Sequence, residues 1–367
     1  MRLLVASASY PNLEGGIALA YIHTRNKYYQ KQGIEVNVLN FSAKEDYIID
    51  GIKVYTLNSI KNKLKEEDFD ILVCHAPNIR NHYLFLKRYH LNFPKLLFVF
   101  HGHEVLNINK VYSKPFSYVR KSKIKIIGQE VYDIFKLNVW KRYLPKIVKK
   151  SYFMFVSKWM YIEFLKWTKI PQGLLKDRYS ITYNCVGQEF ESMQYEFNSK
   201  KEFDLITIRG NLDGSKYCID IVNELAKANK NLKFLVIGKG EYFSKYDKAK
   251  NITWIDAHLS HNQIVEYLSK TRCALMPTRT DAQGLMACEM ATYGMPLITS
   301  DITVCEEIFS DFINVSLINN EETNINLDEL IVSIEQKCKD INIKNSKYFN
   351  ENTSGEEVSV FKKIIKG

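Results

Sequence analysis

Residues 277–296, PTRTDAQGLMACEMATYGMP, constrain the fold more than any other stretch of the chain. The run CALM at 273–276 is short, apolar and ends at a proline, the pattern of a strand buried on both faces of a parallel sheet. Residues 278–283 are polar and turn-like. From Gly284 the pattern turns helical: Leu285, Met286, Cys288, Met290 and Ala291 form an apolar stripe around one acid, Glu289. Gly294 followed by Pro296 is a helix stop, and 297–299 resumes a strand. Strand, loop, helix and strand make one βαβ unit, the building block of an open parallel sheet.

The same alternation recurs on both sides of this unit. Strands are expected at 3–6, 34–39, 70–75, 95–100, 153–157 and 179–184, with helices over 17–32, 131–144 and 158–167. Pro145 is expected to end or kink the second of these helices. Residues 188–202 are polar, lack a clear period and read as a linker between domains. The alternation restarts with strands at 203–208, 232–237 and 252–256, and with helices at 217–227, 261–270, 327–339 and 358–365. A length of 367 residues accommodates two domains with cores of their own.

The helix that begins at Gly284 is a natural seat for an anionic or hydroxyl-bearing ligand. Its first backbone N–H groups lack intrahelical partners and carry partial positive charge. Gln283, Gly284 and Leu285 form its mouth, Asp281 precedes it and Glu289 lies inside it. Carboxylates repel phosphate but accept hydrogen bonds from hydroxyls. A ligand with a charged middle and hydroxyl-rich ends, a nucleotide-diphosphate sugar, satisfies both.

Asp281-x7-Glu289, with Gly284 between and Gly294-Met295-Pro296 after, resembles the E-x7-E motif of the retaining family 4 glycosyltransferases of the GT-B fold. The resemblance extends over nearly the whole chain. It implies an α/β chain of two Rossmann-like domains facing across a cleft. Residues 1–190 would be the acceptor-side domain, 203–350 the nucleotide-sugar domain, and 351–367 a helix crossing back to the first. In the family the first acid contacts sugar hydroxyls and the second the ribose. Asp281 stands where the family has Glu, a departure that bears on which sugar is held. Arg209 and Lys216 bracket a glycine-bearing loop and match the family's diphosphate-binding cations. Gly15-Gly16 matches the loop between donor phosphate and acceptor, and Ile255 matches the strand end whose backbone holds the base. His101, just past the strand at 95–100, matches a histidine beside the transferred sugar, with His103 the alternate.

Other chemistries fit less well. The glycine pair at 15–16 lacks the G-x-G-x-x-G dinucleotide fingerprint. HGHE at 101–104 lacks the helical spacing of a metal-binding H-E-x-x-H, and no metal or cofactor is expected. Seven cysteines, odd in number and without a C-x-x-C pair, argue against a disulfide framework and for a reducing, cytoplasmic compartment. The apolar run at 3–6 is too short for a signal peptide, and no run reaches transmembrane length.

The net charge of +10 concentrates in 109–150. There Lys110, Lys114, Arg120, Lys121, Lys123, Lys125, Lys136, Lys141, Arg142, Lys146, Lys149 and Lys150 face only Glu130 and Asp133. Tyr112, Phe116, Tyr118, Phe135, Trp140 and Tyr143 are interleaved. Such a stretch suits either an anionic membrane surface or a solvated basic face. Nucleic acid is not expected, because no recognition module accompanies the charge. The expected reaction is transfer of a sugar from a nucleotide-diphosphate donor, UDP-sugars favoured, to a glycan or lipid-linked acceptor in surface polysaccharide synthesis. The alternatives are a nucleotide-sugar epimerase and a catalytically silent partner subunit.

Overall fold

A computed structural model of the chain describes residues 1–12, 19–119, 122–338 and 344–366. It divides into two units. The first takes Met1–Ile108, Gly128–Cys185 and Phe349–Gly367, and the second takes Asn109–Ile127 and Val186–Tyr348.

The first unit holds an eight-stranded sheet. Its strands are β1 (Arg2–Ser7), β2 (Glu35–Asn40), β3 (Tyr47–Ile49), β4 (Ile52–Tyr55), β5 (Ile71–His75), β6 (Lys95–Phe100), β7 (Ser151–Phe155) and β8 (Tyr179–Ile181). The order is β3-β4-β2-β1-β5-β6-β7-β8, parallel except where β3 runs antiparallel to β4. The central strands are buried along almost their whole length, which is why they read as unbroken apolar runs. β1 sets Leu3, Leu4 and Val5 beside Ile71, Leu72 and Val73 of β5. The hairpin β3–β4 turns at Asp50-Gly51, both at positive φ, as a two-residue hairpin turn requires.

The second unit holds a six-stranded parallel sheet. Its strands are β9 (Phe203–Asn211), β10 (Phe234–Lys239), β11 (Ile252–Ile255), β12 (Thr271–Leu275), β13 (Leu297–Ser300) and β14 (Val315–Ile318), in the order β11-β10-β9-β12-β13-β14. Leu205, Val222, Leu225, Val236, Leu275, Ile298 and Ile331 form the heart of its core. Only Gly238, at φ +153, lets β10 end where it does, because a Cβ there would stand 2.0 Å from the Arg209 carbonyl oxygen.

Strand order reverses between β1 and β5 in the first sheet and between β9 and β12 in the second. In open α/β sheets ligands bind beyond the carboxyl ends of the strands at such a reversal. Ser7 and His75 end the first pair; Asn211 and Leu275 end the second.

Several elements depart from the sequence expectation. The basic helix runs Lys123–Ile147, beginning well before 131, and Pro145 lies within its last turn. Pro145 has no N–H to give the carbonyl four residues earlier, and the helix ends two residues later, at Ile147. β9 extends through Arg209 and Gly210 to Asn211, and the following helix, Ile219–Ala228, begins only after Cys218 has taken a left-handed conformation. The stretch read as a linker is packed: it forms the helix Gln188–Ser192, buries Phe190, and anchors Tyr195, whose hydroxyl donates to the Thr271 carbonyl at 2.8 Å. The C-terminal helix, Ser354–Lys366, belongs to the first unit. Glu357 accepts from Arg25 Nε at 3.0 and 3.2 Å and from the Tyr29 hydroxyl, all of them buried.

Candidate functional site

The second unit gathers most of the expected residues at its strand reversal. β9 delivers Arg209 to its carboxyl end. The side chain is buried, donates from Nη2 to the Pro277 carbonyl at 2.7 Å, and sits 5.1 Å from the centroid of the Tyr217 ring. Its Nε has no hydrogen-bond partner among the described residues. Burial pulls its pKa down and the charge of Asp281 opposes that. Arg209, Thr278, Asp281, Gln283, Gly284, Ala287 and Cys305 line a small, partly open cavity. A buried guanidinium with an unused donor at a cavity wall is prepared for an anion.

Lys216 lies in the turn Ser215–Tyr217, its ammonium over the rings of Tyr217 (4.6 Å) and Tyr112 (5.2 Å). The loop at 277–283 is strapped to that turn. Arg279 N–H and Thr278 Oγ1 donate to the Lys216 carbonyl at 2.8 and 3.1 Å. The Arg279 guanidinium forks onto Asp220 at 3.0 and 2.7 Å and reaches the Ser215 carbonyl at 2.6 Å. Arg279 thus serves as a strut, with Nη1 and Nη2 engaged by Asp220 and Ser215. Nothing in the sequence marks it, since its carboxylate partner lies in another element.

Gly284 caps the helix Leu285–Tyr293 in a left-handed conformation, φ 68 and ψ 57, which favours glycine. Ala287 and Cys288 are the first residues whose N–H bonds back into the turn, to the Gly284 carbonyl. The N–H groups of Leu285 and Met286 precede that bond and face outward at the helix mouth. Gly294 closes the helix, again left-handed. Asp281 folds over the mouth, its Oδ1 accepting from Ala282 N–H at 2.8 Å.

Glu289 is placed differently from Asp281. It is not among the residues lining the cavity. It is buried on another side of the helix, where Oε1 accepts from Gly187 N–H at 3.2 Å and lies 3.7 Å from His261 Nε2. Burial pushes its pKa up to about 7, against the pull of His261 and the Gly187 N–H, with Glu189 adding to the rise. Gln283 is buried beside Cys288. Ile255 ends β11 at the sheet's edge, with its carbonyl already accepting from Ala257 N–H at 3.0 Å.

In the first unit, His101 follows β6 and is partly exposed. Its Nε2 lies 3.3 Å from His75 Nδ1 and its ring 4.8 Å from the ring of Tyr21, while its backbone N–H donates to Glu104. Burial, with the nearby charge of Arg25, holds His101 and His75 well below the usual imidazole range. Both are therefore neutral at pH 7. His103 is exposed, and its carbonyl accepts from buried Lys136 at 2.7 Å. The cluster of Tyr21, Arg25, His75 and Glu357 around His101 was not legible in the sequence, because Arg25 and Glu357 stand 332 residues apart. Gly15 and Gly16 lie outside the described residues. Among the described residues no group of three His, Cys, Asp or Glu side chains is placed to hold a metal ion, and no helix is long and apolar enough to cross a membrane.

The family Glycosyl transferases group 1 matches residues 205–334, the part that carries Arg209, Lys216, Asp281 and Glu289. Sucrose-phosphate synthase from Thermosynechococcus elongatus superposes with a TM-score of 0.72 at 12% identity, covering 100% of this chain and 99% of that one. A glycosyltransferase from Rickettsia africae superposes with a TM-score of 0.70 at 13% identity, again over 100% and 99%. The chain has the GT-B fold. A Klebsiella pneumoniae protein described as an uncharacterized 41.2 kDa protein in the cps region is 26% identical over 228 residues, 57% of this chain and 61% of that protein. The match thus spans about three fifths of the length of that relative.

Proposed function

We propose that this GT-B chain transfers a sugar from a nucleotide-diphosphate donor to a glycan or lipid-linked acceptor, with retention of configuration. The observation that carries the reading is buried Arg209, with an unused Nε, in one cavity wall with Asp281 and the mouth of the Gly284 helix. Arg209 and Lys216 would stabilise the diphosphate as it leaves and gains charge, and burial strengthens that interaction. The outward N–H groups of Leu285 and Met286 add donors at the same point. Asp281 would accept hydrogen bonds from the sugar and Glu289 from the ribose, after giving up the Gly187 N–H. His101, neutral at pH 7, would accept or donate a hydrogen bond beside the transferred sugar. No side chain is assigned as a nucleophile. The relative from a cps region supports a role in surface polysaccharide synthesis.

The test is incubation of the chain with a panel of nucleotide-sugars, UDP-sugars first, and with glycan and lipid-linked acceptors. The expected product carries the donor's anomeric configuration by NMR and appears with one equivalent of nucleoside diphosphate. Conversion of the donor to an isomer without acceptor would replace transfer by epimerisation. An inverted anomeric centre would leave transfer standing and remove retention.

A further inference from the structure

The helix Lys123–Ile147 is apolar on two opposite sides. Leu137, Trp140, Leu144 and Ile147 face the core, with Asp133 and Lys136 buried as an ion pair at 2.7 Å. The outer side of a surface helix ordinarily carries polar residues. Here it carries Ile124, Ile127, Val131, Ile134 and Phe135, exposed by 82, 60, 60, 50 and 60%. At 100° per residue these five fall within one stripe centred opposite Trp140. The stripe occupies the first turns of the helix. The same outer side ends in Lys141, Arg142 and Lys146, all exposed, and Lys123 and Lys125 flank its start.

Of the aromatic residues interleaved in this segment, Phe135 lies on this surface, and Phe116, Tyr118 and Trp140 do not. Phe116 and Tyr118 pack against the core of the second unit, Trp140 is buried, and Lys136 is committed to three oxygens. What remains outside is four aliphatic side chains and Phe135, bordered by cations. A contiguous apolar face of this kind on a soluble chain marks an interaction site. Its cationic border selects an anionic partner.

We propose that the outer face of Lys123–Ile147 docks on an anionic lipid bilayer, with Val131, Ile134 and Phe135 entering the headgroup boundary and Lys141, Arg142 and Lys146 pairing with lipid phosphates. The helix lies in the surface plane, as an amphipathic interfacial helix does. This goes beyond the sugar-transfer reading and does not depend on it, since docking needs neither donor nor acceptor.

The experiment is co-sedimentation of the full chain with vesicles of phosphatidylcholine alone and of phosphatidylcholine mixed with phosphatidylglycerol, without nucleotide-sugar. The mixed vesicles should bind the chain, and binding should fall as salt rises through the range in which surface charges are screened. V131S/I134S/F135S should weaken that binding by at least about tenfold, given the apolar surface removed. K141E/R142E/K146E should weaken it at low salt and flatten its salt dependence. All six positions are exposed, so circular dichroism and melting should match wild type. Equal binding of wild type to both vesicle types at low salt, or wild-type binding by the serine variant, overturns the proposal. So does a wild-type dimer that the serine variant turns into a monomer while vesicle binding stays unchanged, because the face then belongs to a second copy of the chain.

Discussion

Glu289 is a buried acid whose ionisation couples stability to pH. Its carboxyl titrates near 7 when folded, against an ordinary value of 4.5. Between those values the folded chain keeps a proton that the unfolded chain has released. Stability therefore falls as pH rises through that window, and above it the full cost of a buried carboxylate remains. Glu289→Gln mimics the protonated form and keeps an acceptor for Gly187 N–H. It should stabilise the chain at pH 8 by on the order of 3 kcal/mol and leave it unchanged near pH 4.5, read as the difference between denaturant curves. A gain of equal size at both pH values would mean that the carboxylate is not the source. Asp281 is a different case. It lines the cavity and meets solvent, so its loss leaves the fold intact. Asp281→Ala should lower transfer by roughly ten- to a hundredfold, the equivalent of about 1–3 kcal/mol for unsatisfied sugar hydroxyls. Binding of the nucleoside diphosphate alone, followed by calorimetry, should not change; if both fall together, Asp281 does not act on the sugar.

At the scale of elements, the C-terminal helix is held by charge as well as by packing. Arg25 offers Nε to Glu357 while its Nη1 and Nη2 have no partner among the described residues. Glu357→Ala would strand that buried guanidinium. Removing one partner of a buried pair costs about 3–5 kcal/mol, so a fall of that size in unfolding free energy is expected. A loss below about 1 kcal/mol would show that the helix depends on Phe361 and its neighbours alone. The sequence carried most elements because parallel strands are buried on both faces and read as apolar runs. It carried the Gly284 helix to the residue because a left-handed glycine stands at each end. The hairpin β3–β4 was missed, although YIIDGIKVY at 47–55 places Asp-Gly between two apolar runs, the strongest short hairpin signal. The start of the basic helix was missed for a physical reason: with apolar residues on both sides, its first turns show no single amphipathic period.

At the scale of the whole molecule, the first unit is assembled from three segments and the second from two. Alternation of strands and helices does not disclose such assembly, because it depends on contacts between residues far apart in the chain. Residues 109–119 illustrate this. Their aromatics suggested a surface, yet Phe116 and Tyr118 complete the core of the second unit and Ser113 Oγ meets Ser215 Oγ at 2.9 Å. The candidate site was legible as residue types at the right spacing. That Asp281 and Glu289 serve different surroundings was not, since spacing along a helix says nothing of what each side faces.

Whether the cavity beside Arg209 receives the diphosphate of a nucleotide-sugar is decided by calorimetry of nucleoside diphosphate binding to wild type and to Arg209→Met. Met keeps the bulk of the side chain, and thermal melting verifies that the variant remains folded. A charge-assisted hydrogen bond is worth about 1.5–3 kcal/mol, so the affinity for UDP should fall by roughly ten- to a hundredfold, while that for the free nucleoside uridine should not change. A folded Arg209→Met that binds UDP as tightly as wild type would contradict the account.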